Sequence, residues 1–359
     1  MPINRSADDI LKIFSKDMYV QQETPSPVNV PTGSWIIDSA TGGGIPRRAI
    51  TQISGPESAG KTSLALSAMA QFQATLAEGD TQDKILFIDA EGTFKPQYAE
   101  QIGVDMSKVM LIGGTEAGDV SFKTGEQTFD FIRNVCSINK PEFGMIIVDS
   151  IPSLVPQDNF GVNTQESRGM ASQARMLSYV LPGLINPIKV SNTALVLINQ
   201  LRLNPGTVYG NPEYVPGGRA LAFYTSLHLK VKTRKADKQG DDIIGWPWII
   251  TIMKTKMNNS KAKGTTIESF FRFGEGIDIM HEIAFAGPKT NVLNKDGHKY
   301  YFHGERIEGV VGTKQLIQHF EDHPEFLQEV KRDIVKAIAD NPTILVDKGE
   351  IFDDHIEEE

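Results

Sequence analysis

Ala49-Ile50-Thr51-Gln52-Ile53-Ser54 runs into Gly55-Pro56-Glu57-Ser58-Ala59-Gly60-Lys61-Thr62, and that octet opens the apolar segment Ser63 to Phe72. A β-branched run, a glycine-framed loop and a helical pattern in this order satisfy the phosphate-loop motif in the context that it requires. Glycines allow backbone N–H groups to close around phosphates at a helix N-terminus, where the dipole favours negative charge. The expected nucleotide contacts are Gly55, Pro56, Glu57, Ser58, Ala59, Gly60, Lys61, Thr62 and Ser63, with Lys61 on the β and γ phosphates and Thr62 on Mg²⁺.

Three more apolar runs follow, Lys84 to Ala90, Met145 to Asp149 and Thr193 to Asn199, each ending in polar residues. Near-continuous apolar runs are the signature of strands buried on both faces, and the segments between them leave room for crossover helices. The sequence therefore predicts an α/β fold with a mostly parallel central sheet, its ligands lying beyond the carboxyl ends of the strands. Asp149 is expected to hold the magnesium water shell; the plainer alternative is an Asp capping the next turn. Ser150 stands where many ATPases place a glutamate after that Asp, so the group expected to activate water is Glu91, against the alternative of a surface carboxylate. Asn199-Gln200 is positioned to point an amide toward the γ-phosphate.

In a chain of 359 residues, 40% hydrophobic and 23% charged, one large domain with a smaller companion is expected. No stretch approaches the ~20 consecutive apolar residues of a membrane span. The N-terminus lacks the apolar core of a secretory signal, so no membrane is expected and the cytoplasm is the expected place. Cys136 is the lone cysteine and reads as part of a packed helix. A net charge of -9 excludes a protein that coats nucleic acid with its whole surface, but it leaves room for basic loops. Acid gathers after residue 346, at Asp347, Glu350, Asp353, Asp354 and Glu357 to Glu359, whereas residues 254 to 263 hold four lysines and no acid.

At the front, Ile10, Leu11, Ile13, Phe14 and Met18 share a helical face ahead of a proline-rich tether, and that helix either folds back or docks on a neighbouring subunit. Leu227 to Lys232, Ile249 to Met253 and Ser269 to Phe273 are expected strands, Tyr300 to Arg306 a hairpin, and Thr313 to Ala339 two helices parted near Pro324. The expected organisation is an N-terminal oligomerisation arm over 1–30, an ATPase core over 31–282, a small α/β unit over 283–346 and an acidic tail over 347–359. That tail is expected to compete with DNA for the basic loops.

These residues together resemble the bacterial RecA recombinases from about residue 28 to about residue 330. The resemblance rests on an ordered series: Pro31-Thr32-Gly33-Ser34, the phosphate loop, Ile88-Asp89-Ala90-Glu91, Tyr98, Val148-Asp149-Ser150, Ile198 to Arg202, Gly210-Asn211-Pro212-Glu213, Gly217-Gly218, Lys254-Thr255-Lys256 and Phe273 to Ile277. It implies an ATP-dependent recombinase that forms a helical filament on single-stranded DNA and exchanges strands with a homologous duplex. It also implies that Glu91 activates the water, that Tyr98 stacks on adenine, and that Gln200 couples the γ-phosphate to the DNA loop after it. ATP and Mg²⁺ are the implied cofactors. The implied partners are single-stranded and double-stranded DNA and further copies of the chain, with single-strand-binding and loader proteins left open.

Two loops, at about 158–170 and 202–216, correspond to the family's DNA-binding loops. The second is too polar for core and too long for a simple turn. The implied contacts are Arg168, Gly169, Met170 and Arg175 around the first loop, and Arg202, Asn204, Gly217, Gly218 and Arg219 around the second. Phosphate-led contact suits a protein whose specificity comes from base pairing. Lys254 and Lys256 would share a strand face, and the resemblance implies that both reach the neighbour's ATP, as Tyr209 would press on the adjacent subunit. A head-to-tail contact that repeats without closing gives a helix. Asn204 stands where bacterial relatives usually carry a lysine and Arg219 where they carry an asparagine, and the first loop is slightly longer than usual. The rival readings are another ATPase on the same core, as a ring helicase or clock-type hexamer, and a non-hydrolysing DNA-coating mediator; a small-molecule kinase is more distant.

Overall fold

The computed structural model describes residues 29–77, 79–114, 121–160, 169–203, 213–214, 216–233, 237–239, 242–257, 262–341 and 343–345. The expected N-terminal helix, the acidic tail, Arg168, Asn204 and Tyr209 lie outside the described residues. The strands are β1 (Ala49–Gly55), β2 (Lys84–Asp89), β3 (Val109–Gly113), β4 (Phe143–Asp149), β5 (Ala194–Gln200), β6 (Arg202–Leu203), β7 (Glu213–Tyr214), β8 (Thr225–Thr233), β9 (Asp237–Gln239), β10 (Asp242–Thr255), β11 (Thr266–Arg272), β12 (Gly276–Ile277), β13 (Leu293–Asp296), β14 (Lys299–Phe302) and β15 (Glu305–Val311). The helices are α1 (Trp35–Thr41), α2 (Lys61–Ala74), α3 (Pro96–Ile102), α4 (Gly125–Ser137), α5 (Gly169–Ser191), α6 (Gly218–Tyr224), α7 (Ile279–Lys289), α8 (Thr313–Asp322) and α9 (Pro324–Asp340).

One large sheet runs in the order β12-β11-β10-β8-β1-β5-β4-β2-β3, with β9 beside β10. From β3 across to β8 the neighbours are parallel, and β10, β11 and β12 continue the sheet antiparallel. Every residue of β4 is buried, as its unbroken apolar run predicts. The period of two then divides the core. Met145 and Ile147 point to the side packed by Leu64, Met69 and Phe72 of α2, whereas Ile146 and Val148 point to the side packed by Ile132 of α4 and Leu177 and Leu181 of α5. Cys136 is buried on that second side, within α4 as expected.

The strands past the parallel core are longer than expected: β8 spans Thr225–Thr233 and β10 spans Asp242–Thr255, while β11 ends at Arg272, leaving Phe273 just beyond it. The expected hairpin is present inside a three-stranded antiparallel sheet, β13-β14-β15, and α8 and α9 part at Pro324. Helix α7 crosses residue 283 and packs on β11, β13, α8 and α9, so Ile283, Ala284 and Ala286 join the same buried cluster as α2.

Glu282, on α7, is completely buried beneath α1, with the Ile36 N–H donating to its Oε2 at 3.4 Å. Burial, aided by the nearby charge of Asp38, raises its pKa to about 7. Asp38 itself, accepting from Thr32 N at 2.8 Å and Thr32 Oγ1 at 2.7 Å, is pushed up to about 6 by burial. A buried carboxyl with a raised pKa holds its proton in the fold where the unfolded chain has released it. Stability therefore falls as pH rises from the ordinary carboxyl range to about 7 and levels off above it. Glu282→Gln removes one of the two titrations. The melting temperature of the variant is expected to gain on the parent at pH 8 and to match it near pH 5, read by thermal unfolding at both values.

Candidate functional site

Strand β1 delivers the chain to the loop at Gly55, where a Cβ would stand 2.3 Å from the Val231 carbonyl oxygen. The loop turns at Ser58 (φ 57°) and at Gly60 (φ 86°), and α2 begins at Lys61. The first N–H groups of a helix have no acceptor within it, so those of Lys61, Thr62 and Ser63 open onto the loop. Gly60 is pressed against the indole of Trp248, whose Cζ2 would lie 2.4 Å from an added Cβ. Both its left-handed backbone and this contact require glycine. Lys61 Nζ donates to the Pro56 carbonyl at 2.6 Å, folding its ammonium over the loop. Burial lowers the Lys61 pKa, opposed by the charges of Asp149, Glu91 and Glu57.

Thr62 Oγ1 donates to Asp149 Oδ2 at 2.6 Å. Burial raises the pKa of Asp149 to about 6, and the charges of Glu91 and Asp89 push the same way, while the Thr62 hydrogen bond and Lys61 oppose them. Two hard oxygen ligands side by side, in a pocket where carboxylate charge is under-compensated, fit a divalent cation such as magnesium. Among the described residues no cluster of three His, Cys, Asp or Glu forms an all-protein cage.

Glu91 lies just beyond β2. Its Oε1 accepts from Gln200 Nε2 at 2.9 Å and from the Ser150 hydroxyl. The Ser150 contact is invisible in the sequence, since the two residues follow different strands and meet only because β2 and β4 are neighbours. Asn199, fully buried, donates from Nδ2 to the Pro216 carbonyl at 2.7 Å, while its Oδ1 accepts from the Gln200 N–H at 2.9 Å. Gln200 thus points toward Glu91, and Asn199 ties the same strand end to the far end of the second loop.

Lys61, Thr62, Asp149, Glu91 and Gln200 line a cavity of about 330 Å³. Tyr98, on α3, enters it with its hydroxyl 2.8 Å from Ser63 Oγ. The other side is an aromatic wall that the sequence reading missed, Trp246 and Trp248 on β10 with Phe271 and Phe273 on or beside β11. The available signal was Gly245-Trp246-Pro247-Trp248, which puts two of the three tryptophans on one strand face.

The RecA N-terminal domain model matches residues 2–278. Proteins described as Protein RecA align over most of the chain. That of Acholeplasma laidlawii is 34% identical over 306 residues, 85% of this chain and 86% of the relative. That of Aquifex pyrophilus is 35% identical over 313 residues, 87% and 84% respectively. That of Bacillus subtilis (strain 168) is 33% identical over 336 residues, 92% and 91%.

The chain belongs to the RecA family.

Nucleotide binding, DNA binding and filament formation follow from membership of the RecA family. Around the first loop, Gly169 and Met170 open α5, and the exposed Arg175 pairs with Asp158 at 3.1 Å. Around the second, Arg202 lies on β6 opposite Tyr214 of β7. Gly217 (φ 112°) caps α6, Gly218 (φ 67°) opens it, and Arg219 is exposed on its first turn. Helices α5 and α6 pack together: a Cβ on Gly217 would meet Leu177 at 2.9 Å and one on Gly218 would meet Ala174 at 3.0 Å. Both loops are therefore rooted at one place.

Lys254 is on β10 and Lys256 one residue past its end, with a register shift between Ile252 and Lys254. Their side chains converge on the carbonyl end of α6. Lys256 Nζ donates to Phe223 O at 2.7 Å, and Lys254 Nζ reaches Phe223 O at 3.4 Å and also donates to Ala222 O. The C-terminal carbonyls of a helix favour such cations.

Gly60→Ala is expected to lower stability by about 1–2 kcal/mol for the left-handed residue alone. The collision with Trp248 should also displace the loop, so nucleotide affinity should fall more than stability does; unfolding and equilibrium nucleotide titrations check both.

Proposed function

We propose that this ATP-dependent DNA recombinase of the RecA family binds ATP in the cavity at the start of α2 and hydrolyses it with Glu91 as the group that orients and deprotonates water. The observation that carries this reading is the convergence on Glu91 of the Gln200 amide and the Ser150 hydroxyl, beside the Thr62–Asp149 pair. Main-chain N–H groups of Gly60, Lys61, Thr62 and Ser63 cradle the phosphates, Lys61 turns from the Pro56 carbonyl to the β and γ oxygens, and Tyr98 packs on the base. Thr62 and Asp149 would hold magnesium, partly through water, and the bound ion would supply charge neutralisation at the phosphates.

Gln200 has two partners to choose between, Glu91 and the γ-phosphate. Its neighbour Asn199 is bonded to Pro216, so a change of partner by Gln200 is felt at the base of the second DNA loop. Arg168, Gly169, Met170, Arg175, Arg202, Asn204, Gly217, Gly218 and Arg219 contact the DNA backbone on this reading. Lys254 and Lys256 leave the α6 carbonyls for the phosphates of an adjacent protomer, so each ATP is completed by two chains of a helical filament. Homologous pairing and strand exchange then proceed on the filament, in the cytoplasm of a cell or of a virus's host, with single-strand-binding and loader proteins as candidate partners.

Glu91→Gln keeps the size and most hydrogen bonds of the side chain but removes the base. Turnover with single-stranded DNA is expected to fall by about a hundred-fold or more while ATP and DNA binding persist. Full hydrolysis by the variant would remove Glu91 from this role. The double variant Lys254→Ala, Lys256→Ala is expected to bind nucleotide as a free protomer but to lose DNA-stimulated turnover. Mixing it with Glu91→Gln should restore part of that turnover, because some interfaces then pair an intact Glu91 with intact lysines.

A further inference from the structure

We infer that Asp89 is a positioning residue for ATP hydrolysis: its carboxylate fixes the turn that carries Glu91 and so sets where Glu91 meets the attacking water. The inference rests on Glu91 being the group that activates that water.

Glu91 borders the cavity at the start of α2 and also a second cavity of about 270 Å³, lined by the ends of β2 and β3 and the start of α4. A half-buried side chain that borders two cavities is held less by packing than by its backbone and its hydrogen bonds. At the tip of the side chain, Gln200 and Ser150 donate to the same oxygen, Oε1. Neither bond holds the main chain of Glu91.

That main chain is fixed by two sets of bonds. The Asp149 carbonyl oxygen accepts from the Ala90 N–H at 2.7 Å and from the Glu91 N–H at 3.3 Å, which carries the pairing of β2 and β4 past the strand ends. Asp89 then closes the turn: its Oδ1 accepts from the Gly92 N–H at 2.9 Å and its Oδ2 from the Phe94 N–H at 2.8 Å. Glu91 lies inside the rings that these two bonds close. Gly92 takes the left-handed backbone of the turn (φ 70°), and Phe94 lays its ring against Phe87 with centres 4.5 Å apart, so the far end of the turn is anchored on the core.

The choice of an acid is informative. Asp89 is 5% exposed, and its charge adds to the cost of ionising Asp149. Asn or Ser would close an ordinary turn without that cost. A carboxylate offers two strong acceptors, one for each N–H, whereas the amide of Asn offers one oxygen and turns a donor toward the second N–H. Two bonds at once fix the chain from residue 89 to residue 94, with Glu91 between.

The test uses the full chain with single-stranded DNA, measuring kcat and KM for ATP with the parent, Asp89→Asn, Glu91→Gln and the double variant. Asp89→Asn is expected to lower kcat by about ten-fold or more, as a shift of about 1 Å at a reacting group does. Its KM for ATP should stay within about two-fold, because the phosphate loop is untouched. In the Glu91→Gln background the same substitution should change the residual turnover by less than about two-fold, since a residue acting through Glu91 then has no base left to position. An equal loss of kcat in both backgrounds, an effect on KM as large as that on kcat, or no loss at all overturns the inference. If Asp89→Asn does not fold, Gly92→Val decides, because a β-branched residue strains the same left-handed turn while Asp89 stays in place. A fall in its kcat that vanishes beside Glu91→Gln supports the inference; an unchanged kcat, or an equal loss in both backgrounds, rejects it. Full turnover by Glu91→Gln alone removes the reading of Glu91 itself, and the inference with it.

Discussion

The arrangement at the centre of this protein depends on the parallel register of β1, β5, β4 and β2. Gly55 lies opposite Gln200, Val148 opposite Leu197, and Asp89 opposite Asp149, so four loops leave the sheet at one level. Parallel strands all present their carboxyl ends on the same side. The phosphate loop, the Thr62–Asp149 pair, Glu91 and Gln200 are gathered there by hydrogen-bonded backbone, not by flexible side chains.

That rigidity makes a small polar network consequential. Asn199 and Gln200 are adjacent on β5, whose side chains alternate between faces, so one reaches the Pro216 carbonyl while the other reaches Glu91. Beyond Pro216, Gly217 and Gly218 let α6 pack closely on α5, and the carbonyl end of α6 is where Lys254 and Lys256 converge. The path from Glu91 to the ends of both loops, and on to the lysine pair, is thus a continuous series of packed or bonded groups within one chain.

The electrostatics of the cavity are set by burial. Asp149 and Lys61 are both buried, and each is shifted toward its neutral form by desolvation. Each is also held back by the opposite charge of the other. Such a site favours a ligand that brings its own balance of charge, as a nucleotide triphosphate with a divalent ion does.

Much of this was legible in the order of residues. Local chemistry decides a phosphate loop: glycines at Gly55 and Gly60, a lysine and a threonine at a helix start carry their meaning within eight positions. The buried strands were equally plain, because a strand covered on both faces must be apolar throughout. Their outer ends were less so, since β10 extends through Pro247, whose type argues for a loop or an edge and is overruled by cross-strand pairing with Phe270. Sequence alone therefore determined the fold class, the phosphate loop and the identity of Asp149, Glu91 and Gln200 as strand-end polar groups. Only the tertiary structure decided that Ser150 bonds Glu91, that Asn199 grips Pro216, and that Trp246 and Phe273 line the same cavity as the phosphate loop. Those contacts join residues 17 to 59 positions apart, and such proximity is created by the tertiary fold, which no local pattern of side chains encodes.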